Sequence, residues 1–235
     1  MTAPSARGKA WAQLLRLPNV FTAIADPLAG WLIAGSPVTG LLGVVLGLSA
    51  CLYTAGIVFN DCFDYAADCR DRPQRPLPRG AVSRRAAWTL AGALLFSGLG
   101  LAAWAGARVL AMALPLAALI LWYDAAGKRS GWLGPLLLGA CRALNLRLGM
   151  VGSGASVLLF WPPLVLGVYV ASLSLLARRE EVRPAWQPIV KRLLLGIIVV
   201  DAALVLAGTG NGGAAALVLA LLVPAAILGR ILPMT

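Results

Sequence analysis

Residues 60 to 80 carry Asn60, Asp61, Asp64, Asp68 and Asp71, interleaved with and followed by Arg70, Arg72, Arg75 and Arg79. The chain has nine carboxylates, and four of them lie in this stretch, directly after an apolar run from Leu41 to Phe59. If the helix of that run continues past Phe59, the amide and the carboxylates fall within roughly a 100° arc, because residues three, four and seven apart share a face. Like charges on one face repel, and they stand at a helix C-terminus, where the macrodipole is already negative. A divalent cation reverses the sign of both effects, and a hard ion such as Mg²⁺ takes carboxylate oxygens together with water and substrate phosphates. Arg84 and Arg85 bring the following run to six arginines, and guanidinium groups suit phosphate oxygens. The chemistry indicated is a Mg²⁺–diphosphate site at a membrane surface. The plain alternative is a charged loop that ends a transmembrane helix, but such loops carry Lys and Arg without a one-sided acidic ladder.

The elements that must position these residues are apolar. Of 235 residues, 60% are hydrophobic and 12% charged, which predicts an all-α polytopic membrane protein. Eight spans are read at about 19–36, 41–60, 86–106, 108–123, 133–152, 155–176, 192–208 and 213–233, each long enough to cross most of a bilayer. With the N-terminus inside, residues 1–15 form a cytoplasmic tail, and sixteen Lys and Arg residues fall on the inner side against Arg108 alone in the outer loops. That asymmetry places the acidic ladder in the cytoplasm. It also explains the net charge of +11 without nucleic acid. The start of the chain carries no apolar h-region with a cleavage site, so no removed signal peptide is expected. The whole chain, 1–235, reads as one transmembrane domain.

There is no histidine, which excludes Ser-His triads, His-ligated zinc and imidazole acid–base chemistry. Cys51, Cys62, Cys69 and Cys141 form no CxxC pair and read as free thiols. Two inner loops are long, 61–85 and 177–191, and are expected to face each other across one cavity. Polar residues inside spans usually point into a cavity or at a partner: Arg142, Asn145 and Arg147 in the fifth span, Asp26 in the first, Asp201 in the seventh. Arg142 and Asn145 share a face and are candidates for the cavity wall. Asp26 and Asp201 suit helix–helix hydrogen bonds, with Arg147 a partner for either. Arg16-Leu17-Pro18-Asn19 and Arg142-Ala143-Leu144-Asn145 form a faint internal repeat. Tyr123, Lys128 and Arg129 at the end of the fourth span suit an interfacial anchor. They equally suit a site in which Lys128 meets a diphosphate oxygen and Tyr123 stabilises a carbocation. Glu180 or Glu181, beside Arg178 and Arg179, reads either as a second Mg²⁺ ligand or as a charged turn.

These residues resemble the UbiA-type intramembrane aromatic prenyltransferases. Their first motif, Asn-Asp-x-x-Asp-x-x-x-Asp, stands as Asn60, Asp61, Asp64 and Asp68, and its continuation as Arg75-Pro76-Leu77-Pro78-Arg79-Gly80. Arg16-x-Pro18-Asn19, Ala29-Gly30 and Tyr123 to Arg129 are also similar. Arg142 to Asn145 and Leu175 to Glu181 look closer to the branch found in bacterial Ebo-type operons, which implies the inner membrane of a bacterium. The resemblance implies a helical bundle around a central cavity and Mg²⁺ as cofactor, held by Asp61, Asp64 and Asp68, with Glu180 or Glu181 as a partial second site. It implies a prenyl diphosphate bound by Arg16, Asn19, Arg72, Arg75, Lys128, Arg142, Asn145 and Arg178, with Asn60 assisting through its amide. An aromatic or other lipophilic acceptor would capture the allylic cation.

Two departures stand out. The family's second motif, Asp-x-x-x-Asp after the sixth span, is absent, and eight spans are read where nine are usual. They keep two other readings open on the same scaffold, a terpene cyclase without acceptor and a non-catalytic prenyl-lipid carrier. A CDP-alcohol transferase would need an Asp-Gly-x-x-Ala-Arg core, which the chain lacks.

Overall fold

A computed structural model describes residues 6–155, 159–182 and 186–232, with the side chains of residues 6–7 and 178–182 outside the described set. All regular structure among the described residues is helical: α1 (Ala6–Leu14), α2 (Leu17–Ile33), α3 (Gly40–Phe63), α4 (Tyr65–Asp71), α5 (Arg84–Ala105), α6 (Ala107–Ala125), a 3₁₀ turn (Gly127–Arg129), α7 (Leu133–Gly152), α8 (Trp161–Val182), α9 (Gln187–Thr209), α10 (Gly212–Leu219) and α11 (Leu222–Ile231). Each of the eight apolar segments forms a helix or, in the last case, the pair α10 and α11.

By length and composition, α3, α5, α6 and the stretch Gly212–Ile231 are apolar enough to cross a membrane. The 24 residues of α3 correspond to about 36 Å of helix. The other long helices are interrupted by polar residues that turn inward: Asp26 on α2, Arg142 and Asn145 on α7, and Asp201 on α9 are all buried. Large apolar side chains face outward instead, among them Phe96, Trp104, Leu164 and Val168, as a lipid-facing surface requires.

The helices α2, α3, α6, α7, α8 and α9 surround a cavity, while α5 packs outside α3 and the pair α10 and α11 packs on α9 and α2. At the far end α2 and α7 cross at very close range: a Cβ on Gly30 would collide with the Leu146 carbonyl, and one on Gly149 with the Pro27 backbone. Small residues at such a crossing let two backbones approach without leaving voids. At the other end a second, smaller core joins α1 to the start of α5, with Ala10, Leu14, Phe59, Leu77 and Val82 buried together. The N-terminal segment is therefore no loose tail from residue 6 onward. It folds back through Arg16, whose left-handed backbone (φ 43, ψ 51) begins α2, with Pro18 in the first turn, where its missing N–H costs nothing.

Candidate active site

The cavity has a volume of about 1360 Å³ and is built from one stripe of each surrounding helix. Along α3 the stripe is Ser49, Leu52, Tyr53, Gly56, Ile57, Asn60, Asp61 and Asp64, the spacing of a single helix face. It starts apolar and ends in the acidic ladder. α6 contributes Leu116, Ile120, Tyr123 and Asp124; α7 contributes Leu138, Cys141, Arg142 and Asn145; α8 and α9 add mostly apolar positions such as Val170, Leu173, Val190, Leu194 and Ile197. Residues from both long inner loops, Arg72 and Arg75 on one side and Ala177 and Gln187 on the other, border this same cavity, as the sequence leads one to expect.

The ladder is not one straight helix. α3 ends at Phe63, Asp64 has φ −83 and ψ −1, and α4 resumes at Tyr65. Backbone hydrogen bonds still run through the break, from Asp64 to Asn60 and from Asp68 to Asp64, so Asp61, Asp64 and Asp68 stay on related faces. Asp71 does not join them and is exposed.

Each acid of the ladder meets a cation. Asp61 Oδ1 lies 3.0 Å from Arg16 Nη2 and 3.5 Å from Arg75 Nη1. Arg75 Nη1 also donates to Asp68 Oδ2 at 2.8 Å, so one guanidinium bridges two carboxylates. Asp68 stands behind Arg75, away from the cavity wall. Lys128 Nζ reaches Asp64 Oδ1 at 2.7 Å and approaches the Asn60 carbonyl at 3.5 Å. These pairs hold the acids together, with their cations at the same rim where a phosphate would need them.

Deeper in the cavity a polar knot closes the floor. Arg142 Nη1 lies 3.2 Å from Asp26 Oδ2 and Nη2 donates to the Thr22 carbonyl at 2.8 Å. Asn145 Nδ2 donates to Asp26 Oδ2 at 2.9 Å and to the Ala23 carbonyl at 2.8 Å, and Ser49 Oγ donates to Asn145 Oδ1 at 2.8 Å. Arg142 and Asn145 of α7 thus meet α2 at Thr22, Ala23 and Asp26, beyond the first copy of the repeat at Arg16 to Asn19. Arg142 is the arginine that meets Asp26; Arg147 instead donates to the Leu159 carbonyl at 3.3 Å and sits 5.4 Å from the Phe160 ring.

Of the residues singled out in the sequence, Arg16, Asn19, Asn60, Asp61, Asp64, Arg72, Arg75, Tyr123, Lys128, Arg142 and Asn145 all line the cavity. The side chains of Arg178, Glu180 and Glu181 lie outside the described residues. Asp124 was missed. It is 2% exposed, and its Oδ1 accepts from Asn60 Nδ2 at 3.0 Å. Its signal was present in the spacing, since Leu116, Ile120 and Asp124 are four apart on one face and Lys128 follows four later.

Mg²⁺ suits this donor set on chemical grounds: Asn60, Asp61 and Asp64 offer hard oxygen ligands along the α3 stripe. Among the described residues no three acidic or thiol side chains converge closely enough to hold an ion by themselves.

A profile of the UbiA prenyltransferase family matches residues 20–233. Among curated proteins, digeranylgeranylglyceryl phosphate synthase of Saccharolobus solfataricus is 30% identical over 143 residues, covering 60% of this chain and 51% of that protein. The enzyme of the same name from Methanoregula boonei is 31% identical over 156 residues, covering 66% and 56%. The matched region thus spans about half the length of these relatives. Among solved structures, a UbiA homolog from Archaeoglobus fulgidus bound to GPP and Mg²⁺ superposes with a TM-score of 0.65 at 16% identity, over 94% of this chain and 86% of that one. A homolog from Aeropyrum pernix gives 0.64 at 24% identity, over 91% and 90%. The fold is shared across nearly the whole chain.

Proposed function

Given that the chain belongs to the UbiA prenyltransferase family, we propose that it is an intramembrane prenyltransferase. It would take an allylic prenyl diphosphate with Mg²⁺ at the aspartate-rich end of its cavity and pass the prenyl group to a lipophilic acceptor. One observation carries this reading: a single cavity has Asn60, Asp61, Asp64, Arg16, Arg72, Arg75 and Lys128 at one end and apolar stripes of α6, α8 and α9 along its walls. The related fold from Archaeoglobus fulgidus, bound to GPP and Mg²⁺, supports the same ligand class here.

Bound Mg²⁺ would neutralise the charge that grows on the departing diphosphate. Asp61 and Asp64 offer it carboxylate oxygens and Asn60 an amide oxygen. Asp68, set back from the wall, holds Arg75 in place. Arg16, Arg72, Arg75 and Lys128 bind diphosphate oxygens, and in doing so Arg16 and Lys128 exchange the carboxylates they now pair with for phosphates, while Arg75 leaves Asp61 and keeps Asp68. Tyr123 lies on the wall beside them, where an aromatic face stabilises an allylic cation. The apolar stripes take the prenyl tail and exclude water, which would quench that cation. Arg142 and Asn145, tied to α2, shape the floor below the tail. Arg178, Glu180 and Glu181 remain candidates from the sequence alone.

The acceptor reaches the cavity from the membrane. An aromatic acceptor rests on the family resemblance, whereas the curated relatives are named for a glyceryl phosphate product. Placement near the bacterial Ebo-type branch, and in a bacterial inner membrane, rests on Arg142 to Asn145 and Leu175 to Glu181, since the relatives described above are archaeal. The Lys and Arg asymmetry supports a cytoplasmic active site.

The test is pyrophosphate release by purified protein in lipid, from geranyl, farnesyl and geranylgeranyl diphosphate, with membrane extract as the acceptor source. Release should need Mg²⁺ and should fall roughly 100-fold or more in Asp64→Ala. Saturable binding without release at every chain length would sink the enzyme reading in favour of a prenyl-lipid carrier.

A further inference from the structure

The missing Asp-x-x-x-Asp motif leaves the cavity short of acid, yet a carboxylate that no motif of the sequence marks is buried in its wall. Asp124 is 2% exposed and borders the cavity. Its Oδ1 accepts from Asn60 Nδ2 at 3.0 Å, while its Oδ2 is buried with no hydrogen-bond partner. Burying a carboxylate oxygen without a donor is costly, and side chains bearing that cost tend to serve a site. Across from it on α3 is Gly56, whose missing Cβ lets Ile120 of the same helix as Asp124 pack close.

The bond to Asn60 has a directional consequence. An Asn side chain has an N–H₂ side and an oxygen side, and a carboxylate can only accept. Asp124 therefore claims the N–H₂ of Asn60 and leaves the amide oxygen for another partner, on a side chain that borders the cavity together with Asp61 and Asp64. Outer partners of this kind orient metal ligands, and losing them typically weakens metal binding 10- to 100-fold.

We propose that Asp124 is a positioning residue of the Mg²⁺–diphosphate site, holding Asn60 by its N–H₂ so that the amide oxygen is left for the ion. This rests on the function proposed above and deepens it.

The test measures binding, not turnover. Mn²⁺, which is paramagnetic, replaces Mg²⁺, and its affinity is read by electron paramagnetic resonance in the presence of a non-ionisable geranyl thiolodiphosphate. Binding of the thiolodiphosphate alone, without metal, is measured beside it as the control for folding and for the cationic rim. In Asp124→Leu, Mn²⁺ affinity should fall about 10- to 100-fold with metal-free binding unchanged; Asp124→Glu should recover part of the loss. Wild-type Mn²⁺ affinity in Asp124→Leu would overturn the proposal, and so would equal loss of metal-dependent and metal-free binding, which marks a structural role only. If the wild-type protein itself binds no Mn²⁺ with the thiolodiphosphate, the parent reading fails and the proposal falls with it.

Discussion

Arg142 and Asp26 are charges placed where water is scarce, and each is tolerable only because of the other. Their atoms lie 3.2 Å apart, Asp26 is fully buried, and Asn145 satisfies the same carboxylate oxygen. Removing one partner of a buried pair strands the other, at about 3–5 kcal/mol, whereas replacing both with apolar groups is often near neutral. Asp26→Leu should therefore lower the thermal midpoint in detergent sharply, and the double variant Asp26→Leu with Arg142→Leu should recover most of the loss. The sequence showed that Asp26, Arg142 and Arg147 needed partners but left the pairing open. Spacing assigns residues to a face; only the crossing of α2 and α7 decides which face meets which. The same limit hid Asp124: at the end of a span, an acid beside Trp122 and Tyr123 looks like an interfacial turn until the α3 stripe is seen opposite it.

Among the elements, the long apolar helices were legible and the short ones were not. Hydropathy marks α3, α5 and α6 because nothing else explains such runs. By contrast α1 is a nine-residue helix of mixed polarity, and its burial depends on Phe59, Leu77 and Val82, contributed by distant parts of the chain. The break at Asp64 carries no Pro or Gly to announce it. The α2–α7 crossing makes a sharper prediction. Gly149→Ala places a Cβ into the Pro27 backbone and should cost about 1–3 kcal/mol by overpacking. Gly92→Ala on α5 meets open space and should be neutral or stabilise by up to about 1 kcal/mol through helix propensity. Thermal melts of the two variants in one detergent compare them directly.

At the scale of the molecule, the proposed orientation is open to a simple assay, because Cys69 on α4 is the one exposed thiol, with Cys62 and Cys141 buried and Cys51 half-buried. A membrane-impermeant maleimide should label inside-out vesicles and spare right-side-out ones, and Cys69→Ser should abolish the signal. Labelling from the outer face would invert the topology read from Lys and Arg counts. That topology is an expectation from the uneven spread of positive charge along the chain. The cavity itself was legible only at its charged mouth, since leucine, valine and isoleucine report burial without saying what they surround.

The pairing of Asp26 with Arg142 also sets a schedule for the ribosome. The two residues are 116 positions apart (142 − 26), so at about 5–20 residues per second the first helix waits roughly 6–23 s for its counter-charge. Through that interval Asp26 must shelter at the translocon, with a chaperone or in a water-filled seam. A chain stopped before residue 142 carries the cost of that carboxylate without the guanidinium that offsets it.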